Sequence, residues 1–361
     1  MPLCVGVRVS WLRFEFIFLV APSFSMNSVS RLFFLLPACM LLLAACSNQS
    51  QDVRESRFIM GTLVQFTISG VEEGMALEAI RAAAAEMQRI EDVFTIYGTQ
   101  ANAVKAFNAS VPGEVVALPG EVDSLLKTSI EVAQQSGDAF TPVIGSLSIL
   151  WGFSLPEVPV APPSELDIVT ALIGVDTQML VHESKGWKRL NSQTQLDFGA
   201  IAKGYAIDRG IAVLREHGIG NAIVDAGGDL RAIGDHAGKP WRIGLRHPRK
   251  EGATLGWFEA SGDISIVTSG DYERFFLYQG KRYQHILDPQ SGMPAERSSS
   301  ATVISVANAT IADAWSTALF VSGAEGLPLL ESRGMQGLLV DADGQMHASK
   351  LTILPFHPSA Q

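Results

Sequence analysis

LDFGAIAKGYAID, residues 196–208, is the stretch around which the chain is organised. Ile207, Ile211 and Leu214 recur at helical spacing, which predicts a helix from about residue 202 to 217. A short apolar run precedes this helix and ends in a carboxylate and small residues. Taken alone, the stretch is equally typical of an ordinary strand–turn–helix that carries a solvated lysine.

The same residues suit an anionic ligand. Gly199 and Ala200 allow the backbone to approach a ligand closely, because they carry little or no side chain. The start of the helix offers unpaired N–H groups and a positive dipole end, and Lys203 adds a full positive charge. We therefore expect a phosphate or pyrophosphate here, with Asp197 at the rim facing a metal or the polar edge of a ring.

Composition limits the class of protein. The chain has 361 residues, 47% of them hydrophobic, which is enough for a large core. The net charge is −10 and the one short basic run, RHPRK at 246–250, is typical of a solvated loop, so nucleic acid is excluded as a main partner. Helices and strands are expected without a regular βαβ order, which predicts an α+β protein with mixed or antiparallel sheets and packed helices.

Local patterns predict the main elements. A strand over 58–68 is interrupted at Gly61, where close approach of the backbone is expected. A helix over 164–172 has Ser164 as its N-cap and Asp167 at the capping-box position. Further predictions are helices over 75–94, 121–136 (ended by Gly137) and 310–321, a strand over 303–306, and a proline-rich surface loop over 156–163.

The N-terminal part carries an export signal. Arg31 precedes an apolar run over 32–45, which is short for a membrane span and fits the hydrophobic region of a cleaved signal. The run ends in LAAC, residues 43–46, which resembles a bacterial lipobox with Cys46 as the acylated residue. We expect a signal region over 1–45 with translation starting at Met26, followed by the lipidated cysteine and a polar tether over 46–57.

Acylation would fix the location of the protein. Two or three acyl chains anchor a protein stably, which predicts attachment to a Gram-negative membrane, inner or outer, facing the periplasm. Ser47 after the cysteine favours the outer membrane. Cysteines occur at positions 4, 39 and 46 alone, so the processed chain forms no internal disulfide. An ordinary signal peptide or an N-terminal anchor is the alternative.

Three side chains in the C-terminal half are candidates for chemistry. Asp313 and Thr317 are four residues apart in a predicted helix, so two oxygen ligands of the kind that Mg²⁺ prefers share one face. Alternatively, Asp313 stabilises the first helical turn through the dipole. His285 is a candidate general base, although a lone strand histidine is more often structural. The sequence contains no G-x-G-x-x-G fingerprint, Walker A loop, G-x-S-x-G elbow or Cys/His cluster.

Several short motifs also occur in a specific order. They are MGT at 60–62, Tyr97, GDAFTP at 137–142, LWGF at 150–153, DFGAIAKGY at 197–205, AGGD at 226–229, SGDY at 269–272, HILDP at 285–289 with Gly292 and Pro294, and ADA at 312–314 with Thr317. The series, from about residue 55 to 350, closely resembles the ApbE family of FAD:protein FMN transferases. A generic solute-binding lipoprotein would leave the series unexplained.

The resemblance implies a binding site. The carbonyl of Ala200 and the side chains of Asp313 and Thr317 would hold Mg²⁺. The chain departs from the family pattern at Thr141, where an acidic residue is expected, and at Ser291, where threonine is usual. The FAD pocket would be lined by Met60, Tyr97, Ala139, Phe140, Thr141, Asp197, Lys203 and Leu287.

The resemblance also implies an activity, carried by a T-fold-like single catalytic domain over residues 58–355. The FMN part of FAD would pass, with Mg²⁺, to a threonine hydroxyl of an extracytoplasmic protein, and AMP would be released. His285 and Asp313 would be catalytic. Expected acceptors are redox-complex subunits, such as those of the sodium-pumping NADH:quinone oxidoreductase or the Rnf complex. A Mg²⁺-dependent FAD pyrophosphatase that gives FMN and AMP, or a flavin-binding lipoprotein without turnover, are the alternatives.

Overall fold

The computed structural model describes residues 52–359, apart from 156 and 158. The signal region and Cys46 lie outside the described residues. No helix within the described residues is both long and apolar enough to cross a membrane. The strands are β1 (Val53–Ile59), β2 (Thr62–Ile68), β3 (Leu180–Glu183), β4 (Gly186–Arg189), β5 (Ala222–Ala226), β6 (Asp229–Ile233), β7 (Trp241–Arg246), β8 (Thr254–Ala260), β9 (Ile264–Gly270), β10 (Phe275–Tyr278), β11 (Lys281–Gln284), β12 (Ser298–Val306), β13 (Gln336–Asp341), β14 (Met346–Ala348) and β15 (Phe356–Pro358). The helices are α1 (Glu73–Phe94), α2 (Ala103–Ala109), α3 (Gly120–Ser136), α4 (Gly145–Trp151), α5 (Glu165–Leu172), α6 (Ala202–Glu216), α7 (Ala309–Ser322) and α8 (Leu327–Ser332), with short 3₁₀ turns at Thr177–Met179 and Gly323–Gly326.

Capping and periodic burial explain the helices. α3 ends at Gly137, whose φ of 64° is a left-handed conformation that glycine adopts easily. At the start of α5, Ser164 Oγ accepts a hydrogen bond from Asp167 N, as the capping pattern predicts. The apolar stripe predicted in α6 is fully buried. The helix predictions for α1, α3, α5, α6 and α7 are confirmed to within two residues at each end.

The strand predicted over 58–68 is a hairpin. β1 and β2 pair antiparallel along their whole length and are joined by Met60 and Gly61, which have φ of 57° and 66°. Two consecutive left-handed residues give a turn whose twist matches that of the strands. β1 begins at Val53, so the prediction of a tether as far as residue 57 is wrong from Val53 onward. Its polar residues belong to the sheet because they pair with β2, and α1 packs on the same strand.

An eight-stranded antiparallel sheet forms the framework, in the order β1-β2-β5-β6-β9-β12-β13-β14. Helices α1, α6 and α7 cover one face. The three-stranded sheet β15-β8-β7 packs on the other face, where Phe258 and Ile304 join the same apolar cluster. Because both faces are covered, β12 is buried at every residue but its last. The predicted α+β class, with antiparallel sheets and packed helices in a single domain, is confirmed.

Candidate functional site

A cavity of about 790 Å³ lies beside the start of α6. This volume is in the range of small-molecule and cofactor sites. Every described residue that the sequence assigned to the site lines this cavity: Met60, Tyr97, Ala139, Phe140, Thr141, Asp197, Ala200, Lys203, His285, Leu287, Asp313 and Thr317.

The residues before α6 form an irregular loop, so the strand–turn–helix alternative is wrong. Leu196 and Phe198 are fully buried, which accounts for the apolar run. Asp197 N donates to the carbonyl of Pro142 at 2.9 Å and thereby ties this loop to another wall of the cavity. Asp197 Oδ1 accepts from Gly199 N at 2.8 Å, so the carboxylate shapes the turn that leads into the helix.

Charged groups converge where α6 meets α7. Lys203 Nζ donates to the carboxylate of Asp229, a residue that is 2% exposed. Asp229 Oδ1 also accepts from Thr268 N at 3.0 Å. Burial opposes the charge on Lys203, but Asp229 and Asp313 outweigh burial and raise the pKa of the ammonium. Burial, and then the charge of Asp229, raise the pKa of Asp313. Lys203 is therefore part of an ion cluster with Asp229 and Asp313, and the alternative of a solvated lysine is wrong.

The oxygen atoms at the same place fit Mg²⁺. Asp313 is 3% exposed, and its Oδ2 accepts from Gly204 N at 2.8 Å. Among the described residues, no hydrogen bond reaches Asp313 Oδ1, and no three His, Cys, Asp or Glu side chains form a metal cluster. Mg²⁺ commonly takes one or two carboxylates and fills its other positions with water and phosphate oxygens. Asp313, Thr317 and the Ala200 carbonyl are a donor set of that kind.

Asp313 is not a residue of the first helical turn. Helix α7 begins at Ala309, and its N-cap is Asn308, whose side chain accepts from Ile311 N at 2.9 Å. Asp313 follows one turn later and faces the cavity with Thr317. The alternative in which Asp313 stabilises the first turn through the dipole is therefore wrong.

The hairpin turn between β1 and β2 is held against the cavity by two residues that the sequence did not assign to the site. Met60 N donates to Glu91 Oε2 at 2.9 Å. Arg274 donates to the carbonyl of Gly61 at 3.5 Å and to Ser154 Oγ at 2.7 Å. No pattern marks Glu91, because its partner is 31 residues away. Arg274 lies two residues after the last residue of the SGDY motif, and this nearness was the one available signal.

Two titratable side chains of the cavity are neutral at pH 7. Burial, and then the charge of Asp197, raise the pKa of Tyr97 to about 12. Burial, followed by the charges of Arg274 and Lys203, lowers the pKa of His285 to about 3. The Nδ1 atom of His285 is buried and has no hydrogen-bond partner among the described residues. His285 therefore lines the cavity as an uncharged imidazole.

These features together define a class of protein. An aromatic wall, a partly buried cation and a set of oxygen donors of the kind that Mg²⁺ prefers share one cavity in an α+β domain, which suits a large ligand with an anionic centre. The chain belongs to the ApbE family, whose model matches residues 60–340.

Relatives and solved structures agree with this assignment. An FAD:protein FMN transferase from Rhodobacter capsulatus is 31% identical over 313 residues, which cover 82% of this chain and 57% of that protein. One from Treponema pallidum is 33% identical over 74% of this chain and 81% of that protein. A crystal structure of an ApbE protein from Thermotoga maritima has a TM-score of 0.76 at 32% identity and covers 83% of this chain and 97% of that chain. The flavin transferase ApbE from Vibrio cholerae has a TM-score of 0.72 at 26% identity, with coverages of 83% and 98%.

Proposed function

We propose that this protein transfers the FMN part of FAD to a threonine hydroxyl of an acceptor protein and releases AMP. The observation that carries the proposal is the cavity, in which Lys203, Asp313 and Thr317 lie with the aromatic ring of Tyr97. Such a set of groups suits a dinucleotide whose diphosphate is the reacting centre. The activity named for the relatives supports the same conclusion.

Two sets of residues would bind FAD: apolar side chains would contact its isoalloxazine ring, and polar groups would hold its diphosphate. The ring of Tyr97 offers a flat apolar face to the isoalloxazine. Phe140 and Leu287 add apolar wall, since they are buried in the protein and still line the cavity. Lys203 and the small residues beside it would hold the diphosphate. Asp229 fixes the ammonium of Lys203 in position for that contact.

Mg²⁺ belongs to this proposal because the donors fit it. Asp313, Thr317 and the carbonyl of Ala200 would hold the ion. When bound, Mg²⁺ would neutralise charge on the phosphoryl oxygens and on the departing AMP. Asp313 is suited to this role because one of its oxygens is already positioned by Gly204 N.

The transfer needs no reactant other than FAD and the acceptor threonine. The threonine oxygen forms a bond to the FMN phosphorus, the bond from that phosphorus to the bridging oxygen breaks, and AMP leaves with that oxygen. The hydroxyl proton must go to a base. His285 is our candidate, because its imidazole is neutral and can accept a proton. The negative charge of bound diphosphate would raise the pKa of this imidazole above its value in the free protein.

The direct test is mass spectrometry of an acceptor domain after incubation with the protein, FAD and Mg²⁺. We expect an FMN adduct on a threonine, abolished by Asp313→Ala and retained in Asp343→Ala, which changes an exposed aspartate of the β13–β14 turn. His285→Ala should abolish transfer and leave FAD binding largely intact. Normal transfer by that variant would remove His285 from the mechanism.

The other outcomes of the same test are informative. Metal-dependent release of free FMN and AMP without an adduct would replace the transferase with an FAD pyrophosphatase. Bound FAD with neither product would leave a flavin-binding protein.

We also propose a location and acceptors from the sequence. The LAAC segment supports acylation of Cys46 and attachment to a bacterial membrane on its periplasmic side. Extracytoplasmic subunits of the sodium-pumping NADH:quinone oxidoreductase or the Rnf complex are the proposed acceptors. Incubation of the protein and FAD with each purified subunit, with the threonine-to-alanine subunit as control, would identify the acceptor.

A further inference from the structure

The first turn of α7 is held by a residue of another helix. Asn308 caps Ile311 N within its own turn. The carboxylate of Asp208, in α6, accepts from Ala309 N at 3.0 Å and from Thr310 N at 2.9 Å. It also accepts from Thr310 Oγ1 at 2.6 Å. N–H groups at a helix start have no partner inside the helix, so Asp208 supplies the acceptor that α7 itself lacks.

The position of Asp208 is fixed from the sheet. Arg231, in β6, is 7% exposed and donates to Asp208 Oδ1 at 2.7 Å. The same guanidinium donates to both oxygens of Asp263, at 2.7 and 2.8 Å. Asp208 therefore joins three elements: its own helix α6, strand β6 through Arg231, and the first turn of α7. Asp263 shares the arginine and makes no hydrogen bond to α7 among the described residues.

The turn that Asp208 holds is the one directly before Asp313. Residues 309 and 313 are one helical turn apart and share a face. That face lies against Gly204, since a Cβ added to Gly204 would lie 2.2 Å from Ala309 O and 2.8 Å from Asp313 Cβ. A shift of the first turn of α7 therefore moves Asp313 relative to the start of α6, where Ala200 and Lys203 line the cavity.

We infer that Asp208 is a positioning residue, which holds α7 so that the carboxylate of Asp313 is preorganised for a divalent cation. This inference rests on the proposed Mg²⁺ site. Ligands that are fixed before binding cost the ion less to arrange, so a looser first turn weakens the site without removing any ligand. Asp208 itself does not line the cavity.

The test is the affinity of the purified protein for Mn²⁺, used as a spectroscopic substitute for Mg²⁺, with saturating FAD and free Mn²⁺ counted by electron paramagnetic resonance. We expect Asp208→Asn to bind Mn²⁺ about tenfold more weakly, because asparagine keeps one acceptor oxygen but turns an N–H₂ group toward donors that the other oxygen accepted. Asp263→Asn removes the other carboxylate charge that pairs with Arg231 and changes no side-chain contact to α7, so its Mn²⁺ affinity should equal that of the parent. FAD affinity should be the same in all three proteins.

A second pair of variants keeps the test decisive if Asp208→Asn does not fold. Thr310→Val removes one hydrogen bond to Asp208, whereas Thr310→Ser keeps it. We expect weaker Mn²⁺ binding in the valine variant and the parent affinity in the serine variant. Equal affinities in Asp208→Asn and Asp263→Asn, or in the two Thr310 variants, would overturn the inference alone. Absence of Mn²⁺ binding in the parent would overturn the metal site and this inference with it.

Discussion

At the scale of single residues, the ion cluster at the start of α6 is suited to bind a cation first and an anion second. Two buried carboxylates, Asp229 and Asp313, surround the one ammonium of Lys203. The excess negative charge favours a divalent cation, because an unbalanced buried charge is costly. Once a cation has balanced the carboxylates, the ammonium is available to the anionic diphosphate. Because the cluster holds two carboxylates and one ammonium, we expect the cation to bind before the diphosphate.

Removal of the ammonium should therefore cost stability as well as binding. Lys203→Met leaves Asp229 buried without its partner, and loss of one member of a buried pair costs about 3–5 kcal/mol. We expect about 2 kcal/mol, because the Lys203 side chain is 34% exposed to the cavity. The measurement is urea unfolding at pH 7 without metal or FAD, together with FAD affinity, which should fall.

Lys127→Met is the matched control for that change. Lys127 pairs with Asp123 at 2.8 Å on the surface of α3, with its side chain 46% exposed. Exposed pairs of this spacing contribute about 0.3–0.5 kcal/mol, so this variant should unfold close to the parent. Equal losses of stability in the two variants would show that Lys203 and Asp229 are not a buried pair in solution.

At the scale of elements, the sequence predicts what is decided locally. The α5 cap at Ser164 and the buried stripe of α6 depend on neighbours within a few residues, and both predictions are confirmed. The first part of β1, residues 53–57, was missed because residues 54–57 are all polar and show no apolar alternation, on an edge strand against which α1 packs. Asp208 was missed as a cap because its partners in α7 are about a hundred residues away, at sequence separations of 101 and 102. Site residues were found through the motif series rather than through any such pairing.

The close contact between α6 and α7 at Gly204 leaves no room for a larger side chain. Gly204→Ala places a Cβ 2.2 Å from Ala309 O, which is backbone and cannot rotate away. The helices must separate, so we expect a destabilisation of about 1–3 kcal/mol. Because Asp313 Oδ2 would lose its bond from Gly204 N, Mg²⁺ activation should weaken as well. Thermal unfolding and the half-saturating Mg²⁺ concentration are the measurements.

Gly210→Ala, in the same helix, separates this effect from helix propensity. A Cβ at Gly210 would lie 3.1 Å from the sulfur of Met87, the flexible part of a side chain that can adjust. Alanine also stabilises a helix interior by about 1 kcal/mol relative to glycine. We expect this variant to keep the parent's Mg²⁺ requirement. The same weakening in both variants would mean that the close approach at Gly204 does not position Asp313.

At the scale of the whole molecule, the proposed anchor precedes in the sequence every described residue of the cavity. Among the described residues, those that line the cavity run from Phe58 to Thr317, and the sheet that carries them begins with Val53. The proposed acylation site, Cys46, precedes all of them. Binding of FAD and attachment to a membrane should therefore be separable functions.

A protein that starts at Ser47 should keep the parent's FAD affinity, thermal unfolding temperature and rate of transfer to a soluble acceptor domain, because it retains every cavity residue within the part of the chain that the structure describes. The full-length chain expressed in a Gram-negative host should fractionate with membranes and carry acyl chains on Cys46, since two or more chains give stable anchoring. Cell fractionation and mass spectrometry of the N-terminal peptide test the anchor, and FAD titration tests the site. Loss of FAD binding in the shortened protein would place part of the site before residue 47. A membrane-bound protein without acyl chains would instead make the apolar run over 32–45 the anchor, and the LAAC segment would lose its assigned role.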